Sequence, residues 1–500
     1  MCPTPLSSLL RPNSRLLLGL AVGLYFSLLL GLVFSAGNDD VYITYAAARQ
    51  LASHGQVLNY NGVRLEQSSS LGSVLLLALL HLLLPFLSFP ALGWALSLGA
   101  GALGVWVGGK LAESLHPGSG GAAGLLIATS STYLYWASSG MEAALTALSL
   151  LLVVWAQLRL SEAPSRRRAF VVLGAVTLAA LMRPESPFIL LSGVAVLGTV
   201  AGFRSLRLRP FRFRAATPTF VLAASAASVA LLLVAFRRAY FGESMPHPVA
   251  AKVTGAPLRF GDGLEYLWQS ASPGGALLAG GCVVTVVVLA SAVLGALRAP
   301  VDVPESERAA VDARHLLAAM SLGLVGFTCL TGGDWMGLGR FLVPAVPLWS
   351  VLLLTAWRRG PWRRAGAGGL LVAVLLADNL VGELRFLRGE GSGHPLAASL
   401  SLMGQLRQSP EAASISPLAT ASGQFRDALV LERLLPVARA LGSRRAGPVT
   451  VMSGQAGMIP FYLGQELGQR LRLVDMWLLT TDELEPCLPP ERRRASSTGI

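Results

Sequence analysis

The sequence predicts an all-α polytopic membrane protein of about 11 transmembrane helices, with a small extracytoplasmic α/β domain at its C-terminal end. Three observations carry this. Charged residues make up only 13% of the 500, hydrophobic residues make up 53%, and mean hydropathy is +0.58. A soluble chain of this length needs roughly 25% charged residues to cover its surface. Apolar runs of about 17 to 22 residues recur from Arg15 to Glu383, each long enough for a hydrocarbon core of about 30 Å. Most of them lack the polar face that a soluble helix keeps. After Glu383 the composition turns polar, which divides the chain into a membrane part, 1–383, and a tail, 384–500.

The candidate spans lie at about 16–36, 71–88, 90–110, 121–137, 141–158, 169–182, 187–203, 217–236, 275–297, 315–331, 341–357 and 365–383. The first is too long for a signal-peptide core, and no small-residue cleavage site precedes the acidic pair that follows, so it reads as a retained anchor. Four arginine-rich connections, Arg166-Arg167-Arg168, Arg204 to Arg214, Arg298 to Arg314 and Arg358 to Arg364, are separated by even numbers of spans. All four therefore fit the cytoplasmic side of the membrane, as do Arg11 and Arg15 at the start. Five candidates between Arg15 and Arg166 break that parity. Counting 71–88 and 90–110, interrupted by Pro85 and Pro90, as one crossing restores it and leaves the tail outside.

The same pattern accounts for the net charge of +13, carried almost wholly by arginine, with lysine only at Lys110 and Lys252. Basic clusters set between apolar runs specify topology rather than a nucleic-acid partner. The four cysteines, Cys2, Cys282, Cys329 and Cys487, have neither disulfide nor metal spacing. In the tail, Val449 to Met452 reads as a strand, Ser453 to Gly457 as a turn opening a helix towards Leu463, and Leu471 to Val474 as a second strand.

Sorted by side, the cytoplasmic loops are short and basic, while the outer ones hold most acidic, aromatic and amide residues. The first outer loop, 37–70, opens with Asp39 and Asp40 at the end of the first span. Adjacent carboxylates at a membrane boundary are solvated, paired or working. Ala46 to Gly55 fits an amphipathic interfacial helix, Asn59 to Gly62 a turn, and Glu66 leads back to the membrane. Such a loop can hold a carboxylate over a cavity as a general base. Four later outer stretches add Glu142, the pair Arg183 and Glu185, His247 with Lys252, and Asp334 with Arg340. Singly, each reads equally well as an interfacial anchor or a local ion pair. Together they place cations for a phosphate and carboxylates for hydroxyls on one face. No Walker loop, zinc-binding His-Glu-x-x-His or nucleophile elbow competes.

These stretches resemble, in order, those of the GT-C membrane glycosyltransferases, in particular the group of the mycobacterial terminal β-(1→2) arabinofuranosyltransferase. Asp39-Asp40-Val41-Tyr42-Ile43 is similar to that family's Asp-Asp-x-Tyr-Ile, and Gly140-Met141-Glu142 and Arg183-Pro184-Glu185 match a Gly-Met-Glu and an Arg-Pro-Glu element. Gly332-Gly333-Asp334-Trp335-Met336 with Arg340-Phe341-Leu342-Val343-Pro344 matches a further pair. Departures fall at Asn59-Tyr60-Asn61-Gly62, at Glu66-Gln67-Ser68-Ser69-Ser70, and at His247, where asparagine is usual.

The resemblance implies a polyprenyl-phosphate-linked sugar as donor, a cell-envelope glycan or glycolipid as acceptor on the outer face, and transfer with inversion. It implies an aspartate of the first loop as base, Asp40 in preference to Asp39. Arg183, Lys252 and Arg340 would hold the donor phosphate, and Glu66, Glu142, Glu185, His247 and Asp334 would bind or orient substrate. No cofactor is expected; a divalent metal at the aspartate pair is conceivable and not favoured. The rival readings are a lipid-linked-sugar flippase or transporter and a non-catalytic envelope assembly protein. The first calls for ionisable groups at mid-bilayer and repeated broken helices, whereas the charged residues here sit at span ends.

Overall fold

The apolar runs form helices. The computed structural model describes residues 17–26, 39–207, 213–253, 259–270, 275–297, 305–334, 336, 339–356, 372–381, 425–443, 447–454, 456–476 and 480–481. The helices of the membrane part are α1 Leu17–Phe26, α2 Asp39–His54, α3 Leu71–Leu83, α4 Phe89–Leu115, α5 Gly120–Ala128, α6 Ser131–Ser138, α7 Ala143–Glu162 and α8 Arg166–Met182. They continue with α9 Ser186–Arg207, α10 Phe213–Phe241, α11 His247–Val253, α12 Phe260–Ser270, α13 Gly275–Leu297, α14 Glu305–Thr331, α15 Ala345–Ala356 and α16 Val372–Val381. Among the described residues, five segments are long and apolar enough to cross a bilayer: Phe89–Leu115, Ala143–Glu162, Thr217–Phe241, Gly275–Leu294 and Glu307–Thr331. The chain is a multi-pass membrane protein.

Burial orders these helices from the centre outwards. The apolar stretch of α7 is 83% buried, against 33% for α13 and 22% for α10, so α7 forms the middle of the bundle and the other two its rim. Around α7 pack α4, α8 and α14, and α14 lies along α9. The last contact is close because Gly193 faces Leu316 and Gly323 faces Ser192, whose hydroxyl also donates to the Ala319 carbonyl at 3.1 Å. Small residues let apolar helices approach where lipid offers no hydrophobic drive to association.

Three elements differ from the sequence expectation. The helix expected from Ala46 begins at Asp39, because two carboxylates in its first turn suit a helix N-terminus and Val41, Tyr42, Tyr45 and Ala46 bury one face. The run 121–137 is two short helices rather than one span. At α5 and α6 lengths of nine and eight residues, each covers only about 12–14 Å. The break falls at Thr129 and Ser130, and the amide of Asn379 on α16 donates to the Leu126 carbonyl and the Thr129 hydroxyl there. Third, α3 stops at Leu83 after 13 residues, and α4 restarts with Ser88 as N-cap and Pro90 in its first turn, where a missing N–H does no harm.

The described part of the tail holds helix α17 Phe425–Ser443, strand β1 Val449–Ser453, helix α18 Met458–Leu467 and strand β2 Leu471–Asp475. The strands pair in parallel, with Val449 opposite Leu471 and Ser453 opposite Asp475. Both strands match the sequence reading to within one residue at the end. Helix α18 packs on α17 and on α2, which brings the tail against the loop that α2 opens.

Candidate active site

Six of the predicted residues gather at one end of the bundle, carried by helix ends and the connections between them. Glu142 is the N-cap of α7 and Arg183 the C-cap of α8. Glu185 lies just before α9, Asp40 in the first turn of α2, and Asp334 and Arg340 between α14 and α15. Glycine sets the backbone at two of these places. Gly140 (φ 77°) turns the chain beside the Tyr45 ring, and Gly333 (φ 76°) lies against the Tyr266 ring. A Cβ at either site would meet an aromatic ring as well as left-handed strain.

Glu142 is the hub. Its Oε1 accepts from Arg183 Nη1 at 2.6 Å and from Arg340 Nη2 at 3.4 Å. Arg183 Nε donates to Glu185 Oε1 at 2.7 Å, and Arg340 Nη1 donates to Asp334 Oδ2 at 3.1 Å. Asp40 Oδ2 stands 3.8 Å from Arg340 Nη1. Aromatic faces complete the walls, with Phe341 5.2 Å from the Arg183 guanidinium and Trp136 5.9 Å from that of Arg340. Burial alone would raise the Glu142 carboxyl, but the Arg183 and Arg340 charges outweigh it and hold Glu142 below the usual carboxylate range. Burial likewise opposes charge on Arg340, and Asp334 and Glu142 more than restore it.

Four carboxylates and two guanidiniums give the cluster a formal charge of −2. Most of its hydrogen-bonding capacity is committed internally, and two members stand out, one by exposure and one by an unmet donor. The Asp40 side chain is 28% exposed, against 6% for Glu142, 10% for Glu185 and 2% for Asp334, and its contact with Arg340 is long. Arg340 Nε is buried and has no hydrogen-bond acceptor among the described residues.

The other predicted residues lie elsewhere. Asp39 is buried, and its carboxylate accepts from the backbone amides of Gly457 at 3.0 Å and Met458 at 2.6 Å, at the N-terminus of α18. It thus holds the tail, a role that sequence spacing did not suggest. Glu66 belongs to a second buried centre, where it accepts from Arg237 Nε at 2.8 Å and Nη2 at 3.2 Å. His247 joins this centre: its backbone N–H donates to the Glu66 carbonyl at 3.1 Å, and its Nδ1 lies 3.1 Å from Glu243 Oε1. Lys252 is on α11, and its side chain lies outside the described residues. Arg237 is not among the predicted residues; it directly follows the apolar run 217–236. Its signal is the Arg237-Arg238 pair at a span end that parity places outside, against the arginine bias of the other loops.

Neither a protein-family model nor a curated protein sequence matches the chain. Solved structures do. ArnT from Cupriavidus metallidurans in the apo state superposes with a TM-score of 0.53 at 15% identity, covering 95% of this chain and 88% of that one. The same enzyme bound to undecaprenyl phosphate gives 0.52 at 16% identity, with the same coverage. The oligosaccharyltransferase of Archaeoglobus fulgidus in the apo form gives 0.51 at 14% identity over 93% of this chain, which spans 65% of that longer protein. The chain shares the fold of these proteins.

Proposed function

We propose that this protein is a membrane glycosyltransferase that moves a sugar from a polyprenyl-phosphate donor to an envelope glycan or glycolipid at the outer face of the inner membrane. The observation that carries the reading is the convergence of Asp40, Glu142, Arg183, Glu185, Asp334 and Arg340 on one site within a fold shared with ArnT. On this reading about eleven crossings place that site and the tail, 384–500, outside. The arabinofuranosyltransferase group remains the favoured kin for the donor sugar.

Asp40 is the base, because it is the most exposed carboxylate of the cluster. It takes the proton of an acceptor hydroxyl as that oxygen attacks the anomeric carbon. The bond from that carbon to the phosphate oxygen breaks, and polyprenyl phosphate leaves with the electron pair. Asp39 supports this step from outside it, since amides of the tail already occupy its oxygens. Arg340, through Nε, and Lys252 meet the leaving phosphate. Arg183 and Glu142 keep Arg340 charged and oriented, while Glu185 and Asp334 complete the frame. Donors preset around developing phosphate charge favour the transition state over the ground state.

The test is sugar transfer by purified protein in liposomes from a panel of polyprenyl-phosphate sugars. Wild type should transfer from at least one donor, and Asp40→Asn should lower turnover by on the order of 10²–10⁴ while donor binding persists. Lipid binding without transfer or hydrolysis would favour the flippase reading. Turnover in Asp40→Asn close to wild type would remove Asp40 as base.

A further inference from the structure

We infer that the tail sets the direction of the general base, with Gly457 and Asp39 as positioning residues. This rests on the assignment of Asp40 above. Asp39 and Asp40 are neighbours in the first turn of α2, where successive side chains point about 100° apart around the axis. Fixing the azimuth of one therefore fixes that of the other. Asp39 is fixed by a helix that is not its own: the amides of Gly457 and Met458, at the start of α18, donate to its two oxygens at 3.0 and 2.6 Å. Those amides have no partner within α18, and a carboxylate is the ligand that a helix N-terminus favours. The clamp also disperses the charge of Asp39, which would otherwise repel Asp40.

Position 457 admits no side chain. A Cβ there would collide with the carbonyl oxygen and carbon of Asp39 and crowd its carboxyl carbon. The φ of Gly457 is −101°, so the requirement is close approach and not a left-handed backbone. The Tyr60 hydroxyl locks the same corner, donating to the carbonyls of Gly457 at 3.1 Å and Tyr42 at 3.3 Å. A second contact between loop and tail lies apart from the aspartates. The side-chain amide of Asn61 accepts from Leu473 N at 2.7 Å and donates to Leu473 O at 2.8 Å. It serves as a control for docking as such.

The experiment compares full-length wild type, Gly457→Ala, Asp39→Asn and Asn61→Ala in liposomes, with the donor on which wild type is active. It reads kcat, donor KM and the thermal midpoint. Gly457→Ala and Asp39→Asn should lose kcat by about tenfold or more, since misplacements near 1 Å can cost about 10²-fold. Their donor KM should stay within about twofold, because neither touches the phosphate side. Asn61→Ala should melt earlier and keep kcat within about twofold. Wild-type kcat in both aspartate-corner variants overturns the inference. So does an equal loss in Asn61→Ala, which would make tail docking a matter of stability alone. If Gly457→Ala does not fold, Asp39→Asn decides. Absence of transfer by wild type with every donor defeats the functional reading itself, and the inference with it.

Discussion

At the scale of single residues, the site is a small set of charges that neutralise one another incompletely. Glu142, bridging two guanidiniums, has a folded-state pKa below the ordinary carboxylate value of 4.5. A depressed carboxyl contributes stability that is present in full above its unfolded pKa and is lost as pH falls through the folded one. The difference in thermal stability between wild type and Glu142→Gln should therefore be constant from neutral pH down to about 4.5 and close below it, in melts of the detergent-solubilised protein. Arg340→Lys keeps one charge but loses the fork that reaches Asp334 and Glu142, together with the Nε that the proposed function assigns to the phosphate. It should fold and bind donor about tenfold or more weakly by titration with a labelled polyprenyl phosphate; unchanged affinity would place the phosphate elsewhere. Five of the six cluster residues were legible because each interrupts an apolar run at the outer side with a charge that a plain anchor does not need. Asp40 was legible only as one of a pair. Nothing local separates it from Asp39, since the distinction comes from a helix more than 400 positions away.

Among elements, the loop from Asp39 to Ser70 is pinned at both ends. Its start is clamped by the tail, and its return passes through the Glu66–Arg237 pair, whose side chains are 3% and 6% exposed. Breaking a buried pair leaves a charge without compensation, which costs about 3–5 kcal/mol, whereas replacing both partners by apolar groups is often close to neutral. Arg237→Met should thus lower the unfolding midpoint markedly, and Glu66→Leu with Arg237→Met should recover most of it. A double variant as unstable as the single one would show that the pair itself is needed. Tyr60 and Asn61, both departures from the pattern that the sequence resembles, bond to the tail, so they make contacts of this chain's own. The division of 121–137 into α5 and α6 escaped hydropathy because the break needs only Thr129 to Thr132, small polar residues that an apolar average absorbs. What resolves it is a partner for the freed carbonyl, Asn379, from a distant helix.

For the whole molecule, arginine bias and helix order make one prediction about sidedness. A cysteine at Ser165, beside Arg166 to Arg168, should resist a membrane-impermeant thiol reagent in intact cells, and one at the exposed Val63 should react. Both belong in a background without the four native cysteines. Reaction at both sites, or the reverse pattern, would refute the outer placement of the site. Bundle architecture was readable because length and apolarity alone demand helices in a bilayer, where every backbone amide must be satisfied within its own segment. Crossing number was less readable, since α3 and the α5–α6 pair are apolar enough to be counted yet too short to span singly.

The Asp39 clamp has a consequence for biogenesis. Its two halves are separated by 418 and 419 positions of chain. At a synthesis rate of about 5–20 residues per second, roughly 20–80 s pass between the appearance of the acidic pair and that of its amide partners. Throughout that interval the Asp39 carboxylate is without the two amides that hold it in the finished chain. If the proposed function holds, a chain cut before α18 should transfer no sugar, which the same liposome assay reads.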